Sequence, residues 1–76
     1  MITVKYFGAV AEVTQKKEEQ FSITDSLFGL RSQIESQYPE IKQIPYSLAL
    51  NRSIVKDYAK LNENDEIALL PPFAGG

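Results

Sequence analysis

The first hydrophobic segment of this chain alternates along its length. In MITVKYF, every second residue from Ile2 to Tyr6 is apolar, whereas Thr3, Lys5 and Phe7 share the opposite face. A period of two is typical of a β-strand with one buried side. The segment therefore predicts a strand that buries the face of Ile2 and Tyr6. Phe7, on the other face, is expected either in a second core contact or on an exposed apolar surface.

The last hydrophobic segment, EIALLP, has no polar face. Ile67 and Leu69 fall on one side of it, and Ala68 and Leu70 fall on the other. Such a strand is typical of the middle of a sheet or of a position covered on both sides. The segment therefore predicts a central strand that leads directly into the final residues, PPFAGG.

Three shorter segments predict the remaining strands. EQFSI alternates with Phe21 and Ile23 facing inward, and YSLALN alternates with Leu48 and Leu50 facing inward. IVKDY predicts a short strand after the turn NRS. Together with the first and last segments, these predict a sheet of about five strands.

Polar segments separate the predicted strands. TQKKEEQ predicts a solvated connection, and AVAEV before it predicts a short helical turn. In KLNENDE, either Asn62 or Asn64 is expected to supply a left-handed backbone position, which Asn tolerates better than most residues.

The segment TDSLFGLRSQIESQY predicts the main helix. Thr24 suits the N-cap, and Asp25 places negative charge in the first turn, where the helix dipole favours it. Ile23 and Phe28 match a hydrophobic staple, and Pro39 marks the helix end. The apolar residues at helical spacing are Leu27, Leu30, Ile34 and Tyr38. The order of elements predicts an α+β roll, a single domain over residues 1–76 with one main helix packed across a mixed sheet.

Composition narrows the possible chemistry. The 76 residues are 43% hydrophobic and carry a net charge of −2, which indicates one globular domain without a nucleic-acid or anionic-membrane partner. No signal peptide and no membrane span is expected, so we expect a cytoplasmic location. The absence of Cys and His excludes a thiol nucleophile, a Ser-His pair and ordinary zinc sites, so no metal site is expected. The one unusual group left is the terminal carboxylate of Gly76.

Four segments carry a resemblance to a known family. They are VKYFGAVAE, DSLFGLRSQIESQYP, LALN and NDEIALLPPFAGG, and together they cover nearly the whole chain. They resemble the ubiquitin-like β-grasp proteins, and within them the MoaD family of sulfur carriers, the small subunits of molybdopterin synthase. Pro-Pro-x-x-Gly-Gly after the last strand is the most specific feature. Asn64 stands where the family often has Gly, and Ala11 where it often has Arg, which puts any partner contact of that Arg in doubt.

The resemblance implies a function in molybdenum cofactor biosynthesis. An adenylating enzyme (MoeB-like, related to ubiquitin-activating enzymes) would use ATP and magnesium to adenylate Gly76, and a sulfur donor would convert it to a thiocarboxylate. The carrier would then bind the large subunit (MoaE-like) of the synthase. Its sulfur would attack cyclic pyranopterin monophosphate and build the molybdopterin dithiolene. The resemblance thus implies a sulfur-donating subunit that is not catalytic alone and binds no cofactor itself.

The final residues suit insertion into a partner's pocket. An extended tail over residues 71–76 reaches about 20 Å. Gly75 and Gly76 lack a Cβ, so they can pass through a narrow channel in a partner. The two prolines reduce the conformational entropy that the tail loses on binding. The residues expected to enter the pocket are Pro71, Pro72, Phe73, Ala74, Gly75 and Gly76. The alternative is that the tail is only a flexible chain end. For Phe73 alone, the alternative is that it packs back on its own domain.

Two surfaces are expected to meet partners. Phe7, Leu70 and Phe73 are predicted to contact the large subunit, in a heterotetramer with a carrier at each end of a large-subunit dimer. The acidic residues Glu63, Asp65 and Glu66 are predicted to meet the adenylating enzyme, the alternative being a solubilising turn.

Two other functions stay open. The first is the sulfur carrier of thiamine thiazole synthesis, whose tail normally lacks Pro-Pro. The second is a ubiquitin-like protein modifier, which uses the same terminal activation but ends in an isopeptide bond to lysine.

Overall fold

A five-stranded mixed sheet forms the centre of the computed structural model, which describes residues 1–56 and 58–72. The strands are β1 (Ile2–Tyr6), β2 (Glu18–Phe21), β3 (Ser47–Leu50), β4 (Ser53–Val55) and β5 (Glu66–Leu70). They lie in the order β2-β1-β5-β3-β4, with β1 and β5 parallel and the other pairs antiparallel. The last strand is therefore central, as its two apolar faces predicted.

Two helices and a 3₁₀ segment complete the described fold. The short helix α1 (Gly8–Thr14) contains the predicted turn AVAEV, and the main helix α2 (Leu27–Gln37) ends just before the 3₁₀ segment Pro39–Gln43. No helix within the described ranges is long and apolar enough to cross a membrane. Sheet and helices together confirm the predicted α+β fold of the ubiquitin-like β-grasp type.

One face of the sheet and the inner stripe of α2 enclose the core. The alternation in β1 and β5 places Ile2, Val4, Tyr6, Ile67 and Leu69 on this face, and all five are buried. The helix contributes its predicted stripe, and the remaining buried residues come from α1, β2, β3 and the loops. These further core residues are Val10, Phe21, Leu27, Leu30, Ile34, Ile41, Leu48 and Leu61. Tyr38 and Leu50 pack against the core at its margin, partly buried.

The main helix begins later than its capping signals predict. Its N-cap is Ser26 rather than Thr24, and neither makes a side-chain cap; Thr24 Oγ1 instead lies 2.7 Å from the carbonyl oxygen of Ser26. The reason is a long-range contact, because the amide of Leu27 donates to the carbonyl of Ala59 at 2.8 Å. With this start, Phe28 falls outside the buried stripe and is exposed.

The bounds of two strands, β2 and β4, also differ from those of their predicted segments. β2 ends at Phe21, so Ile23 is exposed and not inward as predicted, and it forms no buried staple with Phe28. At its start β2 adds Glu18, from the predicted polar connection, to the predicted strand residues Glu19 and Gln20, and antiparallel pairing to β1 holds all three extended. β4 stops at Val55. Polar residues formed a strand because a neighbouring strand supplied the hydrogen bonds.

Glu19 is the centre of a hydrogen-bond network at the edge of the core. It lies on the same face of β2 as Phe21, and its carboxylate accepts from the hydroxyls of Tyr6 at 2.9 Å and Tyr38 at 3.0 Å. Lys16 Nζ and Gln37 Nε2 donate to its second oxygen, each at 3.1 Å. Burial opposes ionisation, but these four hydrogen bonds outweigh it and hold the pKa of Glu19 below its ordinary value.

The Glu19 network predicts a pH-dependent contribution to stability. A depressed pKa means that the stabilisation is present above the unfolded value, about 4.3 for Glu, and is lost as the pH falls through the folded value. Glu19→Gln is expected to cost about 1–3 kcal/mol at pH 7, because the amide must donate where the carboxylate accepts. Urea unfolding between pH 7 and pH 3 checks this. Glu12→Gln, on the exposed part of α1, is the matched control. An equal acid dependence for Glu19→Gln and the natural protein would contradict the prediction.

Candidate functional site

The sheet face opposite the core carries a shallow apolar cleft of about 330 Å³. Its apolar lining residues, which we call the docking surface, are Phe7, Ala49, Ile54, Ala68 and Leu70. Phe7 is 41% exposed and Ile54 is 66% exposed, although both are large hydrophobic residues. Exposed apolar residues that gather in one cleft are typical of a surface that binds a protein partner.

The pairing of β1 with β5 brings Phe7 and Leu70 together. These strands run parallel, with Lys5 opposite Ala68 and Tyr6 opposite Leu69. Continuing this register by one residue places Phe7 beside Leu70, on the face that the alternation of β1 predicts. Two of the three residues that the sequence singled out for contact with the large subunit therefore line one cleft, and the third, Phe73, lies outside the described residues.

The hairpin of β3 and β4 adds Ile54, which the sequence analysis did not single out. Asn51 and Arg52 form the hairpin turn with φ angles of 48° and 75°, and this two-residue turn pairs Ala49 with Ile54. Val55 pairs with Leu48, on the core side of the sheet. Because side chains alternate, a strand assignment that put Val55 inward would already have placed Ile54 on the docking surface.

Charged residues border the docking surface. Lys5 Nζ lies 3.5 Å from Glu66 Oε1 across the β1–β5 pair, and Arg52 lies beside Ile54 on the hairpin. Both partners of the Lys5–Glu66 pair are more than a third exposed, so water screens the attraction between them. An apolar centre with a polar border is the usual composition of a protein–protein contact surface.

The chain leaves β5 through a buried proline. Pro71, the first residue of the predicted tail, is buried, whereas Pro72 is exposed. A Cβ added to Gly8 would lie 3.4 Å from Pro71 Cγ, so the ring lies next to the open side of Gly8. The structure thus places Pro71 in the body of the domain. The other predicted tail residues, Phe73, Ala74, Gly75 and Gly76, lie outside the described residues.

Each of the three acidic residues at or just before the start of β5 has a contact within the chain. Glu63 contacts the terminal ammonium group of Met1, and Glu66 pairs with Lys5. Asp65 accepts from the amide of Asn62 at 2.7 Å and from Asn51 Nδ2 at 2.9 Å, which holds the turn. These contacts give the acidic residues a role in the turn, and their contact with an adenylating enzyme stays a prediction.

The turn before β5 has the expected backbone. Asn64 has a φ of 70°, as predicted for one of the two asparagines in this segment. This left-handed position accounts for a Gly there in the family that the sequence resembles, because Gly adopts it without a steric penalty.

Ala11 lies in a neighbouring hollow of about 420 Å³ that shares Lys5 and Phe7 with the docking surface. Lys17 also lines this hollow, together with Glu18. A lysine from just before β2 therefore lines the same hollow as Phe7, although position 11 is occupied by Ala.

The described residues offer little direct chemistry. Within residues 1–56 and 58–72, no three His, Cys, Asp or Glu side chains are grouped so as to hold a metal ion. The carboxylates that cluster in sequence also separate, since Glu19 points to the core side of β2 and Glu18 lines the hollow on the other side.

Comparisons with known proteins identify relatives over the whole chain. The ThiS family model matches residues 4–76. The molybdopterin synthase sulfur carrier subunit of Chlamydomonas reinhardtii is 32% identical over 81 aligned positions, covering 99% of this chain and 98% of the relative.

Solved structures share the fold. Subunit 1 and 2 of the molybdopterin-converting factor from Helicobacter pylori have been solved as a protein–protein complex, and a chain of it matches with a TM-score of 0.74 and 26% identity, covering 99% of this chain and 97% of that one. A Pyrococcus furiosus protein described as a candidate molybdopterin converting factor subunit 1 matches with a TM-score of 0.85 at 19% identity, covering 93% and 95%.

Proposed function

The chain belongs to the ThiS family, and on this premise we propose that it is the sulfur carrier subunit of a molybdopterin synthase. It donates sulfur that is carried on its C-terminal glycine and is not a catalyst by itself. The observation that carries the proposal is the position of the docking surface, which lies beside the residue where the chain leaves β5 toward Gly76. A carrier needs these two features together, one for recognition and one for transfer.

Sulfur loading begins at the carboxylate of Gly76. A carboxylate is a poor acyl donor and must first be activated. An adenylating enzyme related to ubiquitin-activating enzymes uses ATP, with magnesium present, to join AMP to the carboxylate, and pyrophosphate is released. A sulfur donor then displaces AMP and leaves a thiocarboxylate. We propose that the carrier binds neither ATP nor metal itself and that it acts in the cytoplasm.

Sulfur delivery requires docking on the large subunit. The docking surface covers apolar area on that partner, and the residues after Pro71 extend into the partner's pocket. The thiocarboxylate sulfur then attacks a side-chain carbon of cyclic pyranopterin monophosphate and replaces an oxygen substituent there. Water cleaves the acyl–sulfur bond, which leaves the sulfur on the pterin and returns Gly76 to a carboxylate, and two such transfers complete the dithiolene. The complex solved for the Helicobacter pylori relative supports an assembly with subunit 2 of that factor. We propose a heterotetramer with one carrier at each end of a large-subunit dimer.

Intact-mass measurement tests the proposal. After incubation with the adenylating enzyme, ATP, magnesium and a sulfur source, the carrier is expected to gain the difference between one sulfur and one oxygen, located at Gly76. Addition of the large subunit and the pterin precursor is expected to reverse the gain. A mass change at any other residue would overturn the assignment.

The same experiment separates the alternatives. A protein modifier would form an isopeptide bond to lysine, and a thiamine-pathway carrier would lose its sulfur to a thiazole synthase but not to the pterin precursor. The relatives named molybdopterin synthase sulfur carrier subunit favour the molybdopterin synthase function over the protein modifier and the thiamine-pathway carrier.

The acidic residues Glu63, Asp65 and Glu66 are proposed to contact the adenylating enzyme. Asp65 also holds the turn through its hydrogen bonds, so Glu63→Gln is the cleaner test. An exposed ion pair contributes at most about 1 kcal/mol and is screened by salt. Loading by Glu63→Gln is expected to be slower at low salt and unchanged at high salt. If the loading rate responds neither to Glu63→Gln nor to the salt concentration, the proposed contact with the adenylating enzyme is wrong.

A further inference from the structure

The contact between Gly8 and Pro71 has no part in the core of the domain or in the docking surface. It lies where the chain leaves the sheet, at the boundary between buried Pro71 and exposed Pro72. Its position follows from the parallel register of β1 and β5. Tyr6 pairs with Leu69, the next residues Phe7 and Leu70 line the docking surface, and the following pair is Gly8 and Pro71.

The backbone at Gly8 is fixed from several sides. Gly8 has a φ of 53°, in the left-handed region that glycine adopts without penalty. It begins α1, and the carbonyl of Phe7 accepts from the amides of Val10 at 3.1 Å and Ala11 at 3.3 Å. Val10 is fully buried and anchors α1 to the core. A proline ring that packs on this backbone therefore rests on a rigid part of the fold.

The Pro71 ring faces the position that a side chain would occupy at Gly8. A Cβ there would be 3.4 Å from Pro71 Cγ and 3.9 Å from Pro71 Cβ, which is ordinary van der Waals contact, so the cost of a methyl group comes from the φ of 53° and not from a clash. The φ of Pro71 is itself restricted by its ring. The contact with Gly8 and the restricted φ of Pro71 together limit the directions in which the chain can continue.

We infer that Gly8 is a positioning residue, which together with Pro71 fixes the direction of the C-terminal tail relative to the docking surface. This inference rests on the proposed function, since direction matters only if the terminus must reach a reaction centre. The five residues after Pro71 span up to about 17 Å, so a rotation of about 10° at Pro71 moves the end by about 3 Å. A displacement of about 1 Å can lower a rate a hundredfold.

Two proline substitutions separate direction from stiffness. Pro71→Ala and Pro72→Ala remove the same ring constraint, but only Pro71 packs on Gly8. In single-turnover sulfur transfer from loaded carrier to saturating large subunit, Pro71→Ala is expected to be about tenfold slower or more. Pro72→Ala, which leaves the contact with Gly8 in place, is expected to slow transfer less than Pro71→Ala does, and the Kd for the large subunit is expected to change less than about threefold in Pro71→Ala. Equal losses for the two variants, or a loss confined to Kd, would overturn the inference.

Glycine substitutions supply the reciprocal test. Gly8→Ala is expected to slow the saturated transfer rate, and its effect is not expected to multiply with that of Pro71→Ala, because both act on one contact. Gly29→Ala controls for an added methyl group at ordinary contact distance, since its new Cβ also lies 3.4 Å from a neighbour, the Cβ of Thr24, away from the tail, whereas of the two glycines only Gly8 has a positive φ. Gly8→Asn, which tolerates a left-handed backbone, is the second variant if Gly8→Ala unfolds. The positioning role would be refuted if the rate losses of Gly8→Ala and Pro71→Ala multiply in the double variant. It would also be refuted if Gly8→Ala and Gly29→Ala transfer sulfur at equal rates.

The proposed function can fail separately. If the natural carrier transfers no sulfur, the proposed function is wrong. The positioning contact is then judged in the free protein by the nuclear Overhauser effect between Gly8 Hα and Pro71 Hγ. Its presence in the natural protein and in Pro72→Ala supports the contact, and its absence overturns the inference.

Discussion

Adding one alanine after Gly76 is expected to abolish sulfur transfer. The extra residue moves the reacting carboxylate by about 3.5 Å, and misplacement on the order of 1 Å already costs about a hundredfold in rate. Loading is expected to fail at adenylation, before the large subunit is needed. Intact mass after incubation with the adenylating enzyme, ATP and a sulfur source measures this directly.

Gly76→Ala tests the same position without changing chain length. Its methyl group narrows the backbone freedom of the terminus, and we expect severely impaired loading. Gly29→Ala adds the same methyl to α2 and is expected to load normally. Neither extension nor Gly76→Ala is expected to change the thermal unfolding midpoint, since the core lies within residues 2–69. Full loading of a carrier with a blocked terminus would disprove the role of Gly76.

Phe7→Ala is expected to weaken binding to the large subunit by about ten- to a hundredfold. Phe7 is 41% exposed at the edge of the docking surface, so a partner can bury most of the remaining ring. Truncation of a buried aromatic at an interface typically costs about 1.5–3 kcal/mol, and each 1.4 kcal/mol is tenfold in Kd. Isothermal titration with the large subunit measures the change.

Phe28→Ala is the matched control for Phe7→Ala. Phe28 is 58% exposed on α2 and does not line the docking surface, so its removal is expected to leave the affinity unchanged. Ile54→Ala and Leu70→Ala are expected to weaken binding in the same direction as Phe7→Ala. If Phe7→Ala and Phe28→Ala bind equally well, the docking surface is not where we place it.

The sequence predicted the faces of the strands better than their boundaries. Alternation placed Tyr6 in the core and Phe7 outside, and the absence of a polar face in EIALLP identified β5 as central. These inferences succeeded because side-chain direction in a strand depends only on the local period. Thr24 failed as an N-cap, since the bond between Leu27 and Ala59 decides where α2 starts.

Long-range neighbours also account for contacts that the sequence did not reveal. Glu19 belongs to a polar segment, and only the fold brings two tyrosine hydroxyls to its carboxylate. Pro71 belongs to a segment that suggests a free tail, and only the β1–β5 register brings Gly8 against its ring. Contacts between residues far apart in sequence leave no periodic signal along the chain.

The parallel pairing of β1 with β5 has a consequence for how the protein is made. Thr3 lies opposite Glu66 and Tyr6 opposite Leu69, so the strands can pair only after nearly the whole chain has been closed into a loop. Loop closure over such a distance is entropically costly, and domains dominated by distant pairings fold more slowly than helical bundles of equal size. A chain interrupted before Glu66 lacks its central strand as well as Ala68 and Leu70 of the docking surface. Folding therefore acts as a check on synthesis, because an unfinished product cannot occupy a partner that a loaded carrier needs.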